Sequence, residues 1–211
     1  MSGEKELEEA KKYWTQTEVL SWYWEKTPLT EFIVAKVGEL DVSSVFEFGC
    51  GTGRTLHYLE EAYLGITCVG VDVNPRMVEI GRDKFKVEIY QGDESFMESW
   101  LHRHASMCGG ESAGMHKFDL VFSCSALDHS PKPLRILRAM FALAKKYVLL
   151  VEPWCEREGR VDPELTKTPY TYSWNYDLYL DALGHPSLES KPIPLKGTGM
   201  APYYRYWLVK V

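Results

Sequence analysis

No run in this chain of 211 residues approaches eighteen uninterrupted apolar residues, so nothing in it reads as a membrane span. It has no long Lys/Arg block either, and its formal net charge is −6. A protein that grips a phosphate backbone usually carries a basic face, which argues against a nucleic-acid partner. The N-terminal stretch MSGEKELEEAKK is charged and acidic where a secretory leader would be apolar. Cys50, Cys68, Cys108, Cys124 and Cys155 are odd in number and lack paired spacing, so a disulfide framework is not expected and a reduced, cytoplasmic setting is. His102, His104, Cys108 and His116 fit no common zinc spacing, so no metal is expected. There is no internal repeat and no sign of a second domain. The expectation is one domain over 1–211, with residues 1–40 as an N-terminal helical cap.

What is present is a good supply of core. Hydrophobic residues make up 45% and charged residues 26%, enough for a chain of this length to bury a proper interior. Residues 4–26 carry apolar positions near the helical period and predict a helix, rich in large aromatics. Thr27-Pro28 breaks it, and Pro28 opens a second helix to about Leu40. Short apolar runs then alternate with helical segments. Strands are predicted at 44–48, 67–72, 86–91, 118–123 and 146–151, with helices at 53–63, 75–83, 95–104 and 131–144 between them. That alternation predicts an α/β fold with a doubly wound, mostly parallel sheet, helices on both faces and an N-terminal helical lid. After Pro153 the texture turns to Pro, Tyr and Trp, with a short helix near 174–183 and a final strand-like YYRYWLVKV.

The stretch FEFGCGTG, residues 46–53, places three glycines on alternate positions behind the first strand. A loop there lies at the carboxyl edge of a parallel sheet, where α/β folds bind ligands. Glycine lets a ligand approach the backbone, and the next helix offers free N–H groups. A dinucleotide fingerprint needs a third glycine where Arg54 or Leu56 stands, and a phosphate loop needs a Lys that does not follow Gly53. What remains is Glu47-x-Gly49-x-Gly51-x-Gly53.

That pattern resembles the first motif of the class I S-adenosylmethionine (SAM)-dependent methyltransferases, and the resemblance covers roughly residues 40–155. Asp72 ends the second strand in CVGVDVNPRM, nineteen residues past Gly53. A carboxylate there can accept hydrogen bonds from both hydroxyls of a ribose. Asn74 and Pro75 make a good cap and first-turn pair for the next helix. The resemblance implies that SAM is the cofactor and S-adenosylhomocysteine the product. It implies cofactor contacts from Glu47, Gly49, Cys50, Gly51 and Gly53 in the loop, and from Asp72, Val73, Asn74 and Met77 around the second strand end. Met77 would lie against the adenine. Gly92, Asp93 and Glu94 in YQGDES would follow at the third strand end, Asp93 toward the adenine amino group. Ser123 and Ser125 would sit beneath the methionyl part, at the fourth.

Methyl transfer from a sulfonium is an in-line displacement, so the protein supplies alignment, shielding and, for a reluctant hydroxyl, a base. His129 stands where small-molecule members of the family often have a histidine facing the substrate cavity. It and Asp128 are the catalytic candidates. The [DN]-P-P-[YF] motif of base and amide methylation is replaced by Ser123-Cys124-Ser125-Ala126. Tyr13, Trp14, Trp22 and Trp24 on the N-terminal helix, and Tyr172 in a later aromatic stretch with Tyr170, Trp174 and Tyr176, are candidates to wall the acceptor. The expected activity moves a methyl group to an O, N or S atom of a small molecule. The alternatives are a protein or RNA acceptor, or a SAM-binding protein without catalysis.

Overall fold

The computed structural model describes residues 3–107, 117–154, 158–166, 168–195 and 203–211. Five strands run parallel: β1 (Ser44–Phe48), β2 (Thr67–Asp72), β3 (Glu88–Gln91), β4 (Phe118–Cys124) and β5 (Ala144–Pro153). Between them lie α3 (Arg54–Ala62), α4 (Pro75–Lys84), α5 (Glu94–Met107) and α6 (Pro133–Leu143). The helices α1 (Gly3–Gln16) and α2 (Pro28–Gly38) precede the sheet. Beyond it come the two-residue strands β6 (Gly159–Arg160) and β7 (Tyr172–Ser173), with α7 (Pro163–Thr166) between them. Then follow α8 (Tyr176–Ala182), β8 (Glu189–Pro192) and β9 (Tyr204–Lys210). The main sheet has the order β3-β2-β1-β4-β5-β9-β8, with β9 antiparallel to both its neighbours. Strand order reverses between β1 and β4, and the crevice outside their carboxyl ends is where such a sheet binds its ligand.

The strands are apolar on both sides because both faces are covered. Phe46, Val121, Leu150 and Val209 pack against Leu137 and Met140 of α6 and Leu180 of α8. Val45, Leu120, Leu149 and Leu208 face Ile33 of α2, Leu56 and Leu59 of α3 and Val78 of α4. An irregularity at Asp119 shifts the β4–β5 register, and its carboxylate accepts from Ser43 N at 2.9 Å. Among the described residues, no helix is long and apolar enough to cross a membrane.

The predicted N-terminal helix is shorter than its aromatic periodicity suggested. It ends at Gln16, and Ser21–Trp24 form a separate 3₁₀ turn. The Thr15 and Thr17 hydroxyls bond back to the carbonyls of Lys11 and Tyr13, and Asn74 Nδ2 donates to the Trp14 and Thr17 carbonyls at 3.1 and 2.9 Å. A side chain from another element thus terminates α1, and local periodicity cannot show that. The helix near 174–183 begins only at Tyr176, and β6, β7 and β8 were not evident in the sequence.

Candidate active site

The loop after β1 is built from left-handed backbone. Gly49, Gly51 and Gly53 have φ of 70, 55 and 71°, conformations that side-chain-bearing residues rarely adopt. The amides of Gly49 and Cys50 both donate to Val71 O, at 2.8 and 3.0 Å, and Gly51 N donates to Asp72 Oδ2 at 2.8 Å. The loop is therefore pinned to the end of β2. Thr52 Oγ1 adds a bond to Tyr23 O at 2.8 Å, which ties the 3₁₀ turn to the same loop.

Asp72 also accepts from Asn74 N through Oδ1 at 2.8 Å. Burial raises its pKa, while the bonds from Asn74 and Gly51 favour the carboxylate. Each oxygen has spent one lone pair on the backbone and keeps another for a ligand. Asn74 caps α4 with Oδ1, which accepts from Arg76 N and Met77 N. Its Nδ2 holds the end of α1 at the same time.

These elements enclose a cavity of about 290 Å³. Its floor and walls include Glu47, Gly49, Cys50, Gly51, Asp72, Val73, Asn74 and Met77. Gly92, Asp93, Glu94, Ser125 and His129, also predicted, lie on its surface as well. Leu7, Ala10, Lys11 and Trp14 of α1 roof it. Sequence reasoning missed Lys11, Tyr23, Thr52, Arg54 and Tyr204, which also line it. Of these only Thr52, between the second and third glycines, and Arg54, directly behind them, carried a positional signal.

Other predicted residues lie off the cavity wall. Gly53 caps α3, and a Cβ there would meet Val87 at 2.6 Å, so packing rather than ligand approach requires the glycine. Ser123 is fully buried in β4, and Asp128 is buried beneath the tight turn Leu127–His129. Tyr13 stands edge-on to Trp14 at 5.1 Å. Tyr172 donates its hydroxyl to Glu6 at 3.0 Å and stacks on Trp174, which makes it an anchor for α1. Tyr176 is core, packed on Trp207. Trp24 sits beneath Lys84, with Nζ 5.6 Å from the ring centre. The side chain of Trp22 and those of His102, His104, Cys108 and His116 lie outside the described residues.

The site is rich in buried acids. Glu47 is 3% exposed, its Oε2 has no hydrogen-bond partner, and burial pushes its pKa well up, with Arg54 opposing. Asp93 accepts from Ser95 and, at 2.5 Å, from Lys11; these bonds outweigh burial and hold it below the usual range. Glu94 receives Lys11 at 3.1 Å and Arg135 at 3.1 Å. Trp14 stacks on His129 with its ring tilted, centroids 3.8 Å apart. Burial lowers the imidazole pKa to about 4, partly offset by a bond to the Tyr170 carbonyl. His129 is therefore neutral at physiological pH and a weak base. Asp128 and Glu152 are both raised by burial, and for Glu152 the Asp128 charge adds to this.

Three features of the cavity fit an adenosyl amino acid. The glycine backbone admits close approach, Asp72 offers two acceptors at a strand end, and Glu47 presents a buried carboxylate oxygen short of a donor. A cationic amino or sulfonium group beside that acid would offset its burial.

Fold and cavity define a class: an α/β protein with a cavity at the switch point of a parallel sheet, where such folds bind ligands. Residues 46–147 match the family profile of a methyltransferase domain. Among solved structures, the chain is similar to a SAM-dependent methyltransferase from Aquifex aeolicus, with 18% identity, 97% of each chain covered and a TM-score of 0.59. It is similar to the plantazolicin methyltransferase BpumL in complex with S-adenosylhomocysteine, with 13% identity, 100% and 99% covered and a TM-score of 0.64. It is also similar to the mitomycin 7-O-methyltransferase MmcR, with 15% identity, 87% and 54% covered and a TM-score of 0.59. At these identities the likeness carries the fold. Comparison with curated protein sequences returns no match. Residues 46–147 are thus a methyltransferase domain, and the fold around them is that of the class I SAM-dependent methyltransferases, enzymes that take SAM as cofactor.

Proposed function

We propose that the enzyme methylates a small molecule at oxygen, nitrogen or sulfur. The observation that carries this reading is the roofed cavity: α1 lies across the carboxyl edge of the sheet and leaves about 290 Å³ beneath it. A macromolecular side chain or base would call for an open groove, and RNA for a basic rim, whereas this chain carries a formal charge of −6. The name of the mitomycin 7-O-methyltransferase, which shares the fold, supports a small-molecule acceptor.

In this reading Asp72 receives the ribose hydroxyls, Met77 packs on the adenine, and Glu47 faces the cationic amino acid end. Asp93, already engaged by Lys11, closes the adenine side together with α1. The cofactor supplies a methyl carbon already activated on a cationic sulfur. The chain's own contribution is to hold the acceptor in line, to exclude water beneath α1, and to receive a proton at His129 if the acceptor sheds one. A histidine held neutral down to about pH 4 accepts that proton weakly, so acceptors that need little deprotonation suit it best: amines, thiols and acidic hydroxyls.

The test is methyl-labelled SAM given to the enzyme with three separated pools of acceptor: a dialysable metabolite extract, protein, and RNA. Label transferred to the dialysable pool is expected. Label in protein or RNA instead overturns the reading.

A further inference from the structure

At the end of β5, Glu152 is fully buried, yet among the described residues its carboxylate faces two backbone amides rather than a cation. Ala126 N donates to Oε2 at 3.1 Å and to Oε1 at 3.3 Å, and Leu127 N donates to Oε1 at 3.3 Å. These amides belong to the turn between β4 and α6, whose neighbours are unusual on both sides. Ser125 has φ of 54°, strained for a residue with a side chain, and its Oγ shares a 2.5 Å hydrogen bond with Tyr204 OH on the cavity wall. Ala126 presses on the glycine loop so closely that a Cβ on Gly49 would collide with its own Cβ. His129 N, three residues on, bonds to the carbonyl of Ala126 at 3.2 Å and completes the turn. One buried carboxylate therefore anchors a segment that touches the glycine loop at one end and carries the cavity histidine at the other.

We propose that Glu152 is a positioning residue for methyl transfer: by fastening the Ala126 and Leu127 amides it fixes both the floor of the cofactor cleft and the station of His129. A carboxylate placed here costs desolvation in a core that an apolar residue would fill more cheaply, and the repulsion from Asp128 adds to that cost. What it provides in return is acceptor oxygens for two backbone amides at a strained turn, where a shift of about 1 Å in a reacting group can cost on the order of a hundredfold in rate. The inference does not depend on the acceptor. It does rest on the cofactor cleft, which binding of S-adenosylhomocysteine to the unaltered enzyme tests by itself.

The experiment separates reach from charge. Glu152→Asp keeps the charge but withdraws the oxygens by one methylene. Glu152→Gln removes the charge but keeps an oxygen where Oε1 now serves both amides. Affinity for S-adenosylhomocysteine is read by calorimetry, and the His129 imidazole by NMR of nitrogen-labelled histidine, assigned with His129→Gln. The expected result is that the Asp variant binds at least about tenfold more weakly and shifts the His129 signals, while the Gln variant stays within about threefold of the unaltered enzyme with His129 in place. An Asp variant equal to the unaltered enzyme overturns the proposal. So does a Gln variant as impaired as the Asp variant, because charge and not the bonds to the turn would then be what matters.

Discussion

Trp14 of the N-terminal helix lies over the imidazole of His129, with ring planes 30° apart and centroids separated by 3.8 Å. The roof of the cavity thus rests on the one histidine that lines it among the described residues. An acceptor that engages this face of His129 has to slide the indole aside. Apolar burial does little to resist such a movement, since only Leu7 and Ala10 of α1 are buried. The helix is otherwise fastened by polar contacts: Lys11 to Asp93 and Glu94, Glu4 to Lys132, Glu6 to Tyr172, and its last turn to Asn74.

Trp14→Ala removes that stack and tests how firmly the roof is held. An aromatic contact contributes about 0.5–1.5 kcal/mol beyond its buried area, so amide exchange along α1 should quicken by roughly two- to tenfold. The central strands should be unaffected. Hydrogen exchange read by mass spectrometry makes the measurement, and unchanged protection of α1 would show that the polar contacts alone hold it.

Asp72→Ala should weaken S-adenosylhomocysteine by about 2–4 kcal/mol in calorimetry. Two losses combine there. The proposed ribose acceptors go, and so do the bonds that hold Gly51 N and Asn74 N. Affinity equal to that of the unaltered enzyme would remove Asp72 from the ribose.

Gly81→Ala distinguishes helix propensity from packing. In an isolated helix the change would stabilise by about 1 kcal/mol. Here a Cβ on Gly81 would run into the Thr52 carbonyl of the glycine loop and into Ile89. Denaturant unfolding should therefore show a loss of about 1–3 kcal/mol, with cofactor affinity reduced alongside it. A gain in stability would show that the loop yields freely.

The pair Asp128 and Glu152 gives a dependence on pH with a definite sign. Burial holds both folded-state pKa values above those of the unfolded chain, so near neutrality the folded protein binds more protons than the unfolded one. Stability from this pair is complete below the unfolded values and is lost as pH rises through the folded ones, by at most about 1.4 kcal/mol per pH unit for each extra proton. Relative to Glu152→Gln, the unaltered enzyme should therefore lose stability between mildly acidic and mildly alkaline pH. Parallel unfolding curves over that range would mean that the pair is not held protonated.

Much of the fold was legible because it follows from short-range rules. The alternate glycines, Asp72 at a strand end and the Asn74-Pro75 start of α4 each depend on neighbours within a few residues, and each stands where its type is needed. Asn74 shows the limit. Its cap on α4 could be read locally, but its bonds to Trp14 and Thr17 cross about sixty residues and decide where α1 stops. Tyr172 shows the reverse error: an aromatic offered for the substrate wall proves to anchor α1 through Glu6. Asp128 was chosen for its place beside His129, yet the Leu127–His129 turn directs it into the core while His129 reaches the cavity.

Sequence alone determined the parallel core, the glycine loop and the acid that closes its second strand, because backbone conformation and strand-end chemistry are local properties of residue type. Only the tertiary structure decided that Lys11 would bridge Asp93 and Glu94, that Trp14 would cover His129, and that Glu152 would hold the turn between them. Those contacts join residues far apart in the chain, and their geometry exists only after the sheet has assembled and α1 has docked across its edge.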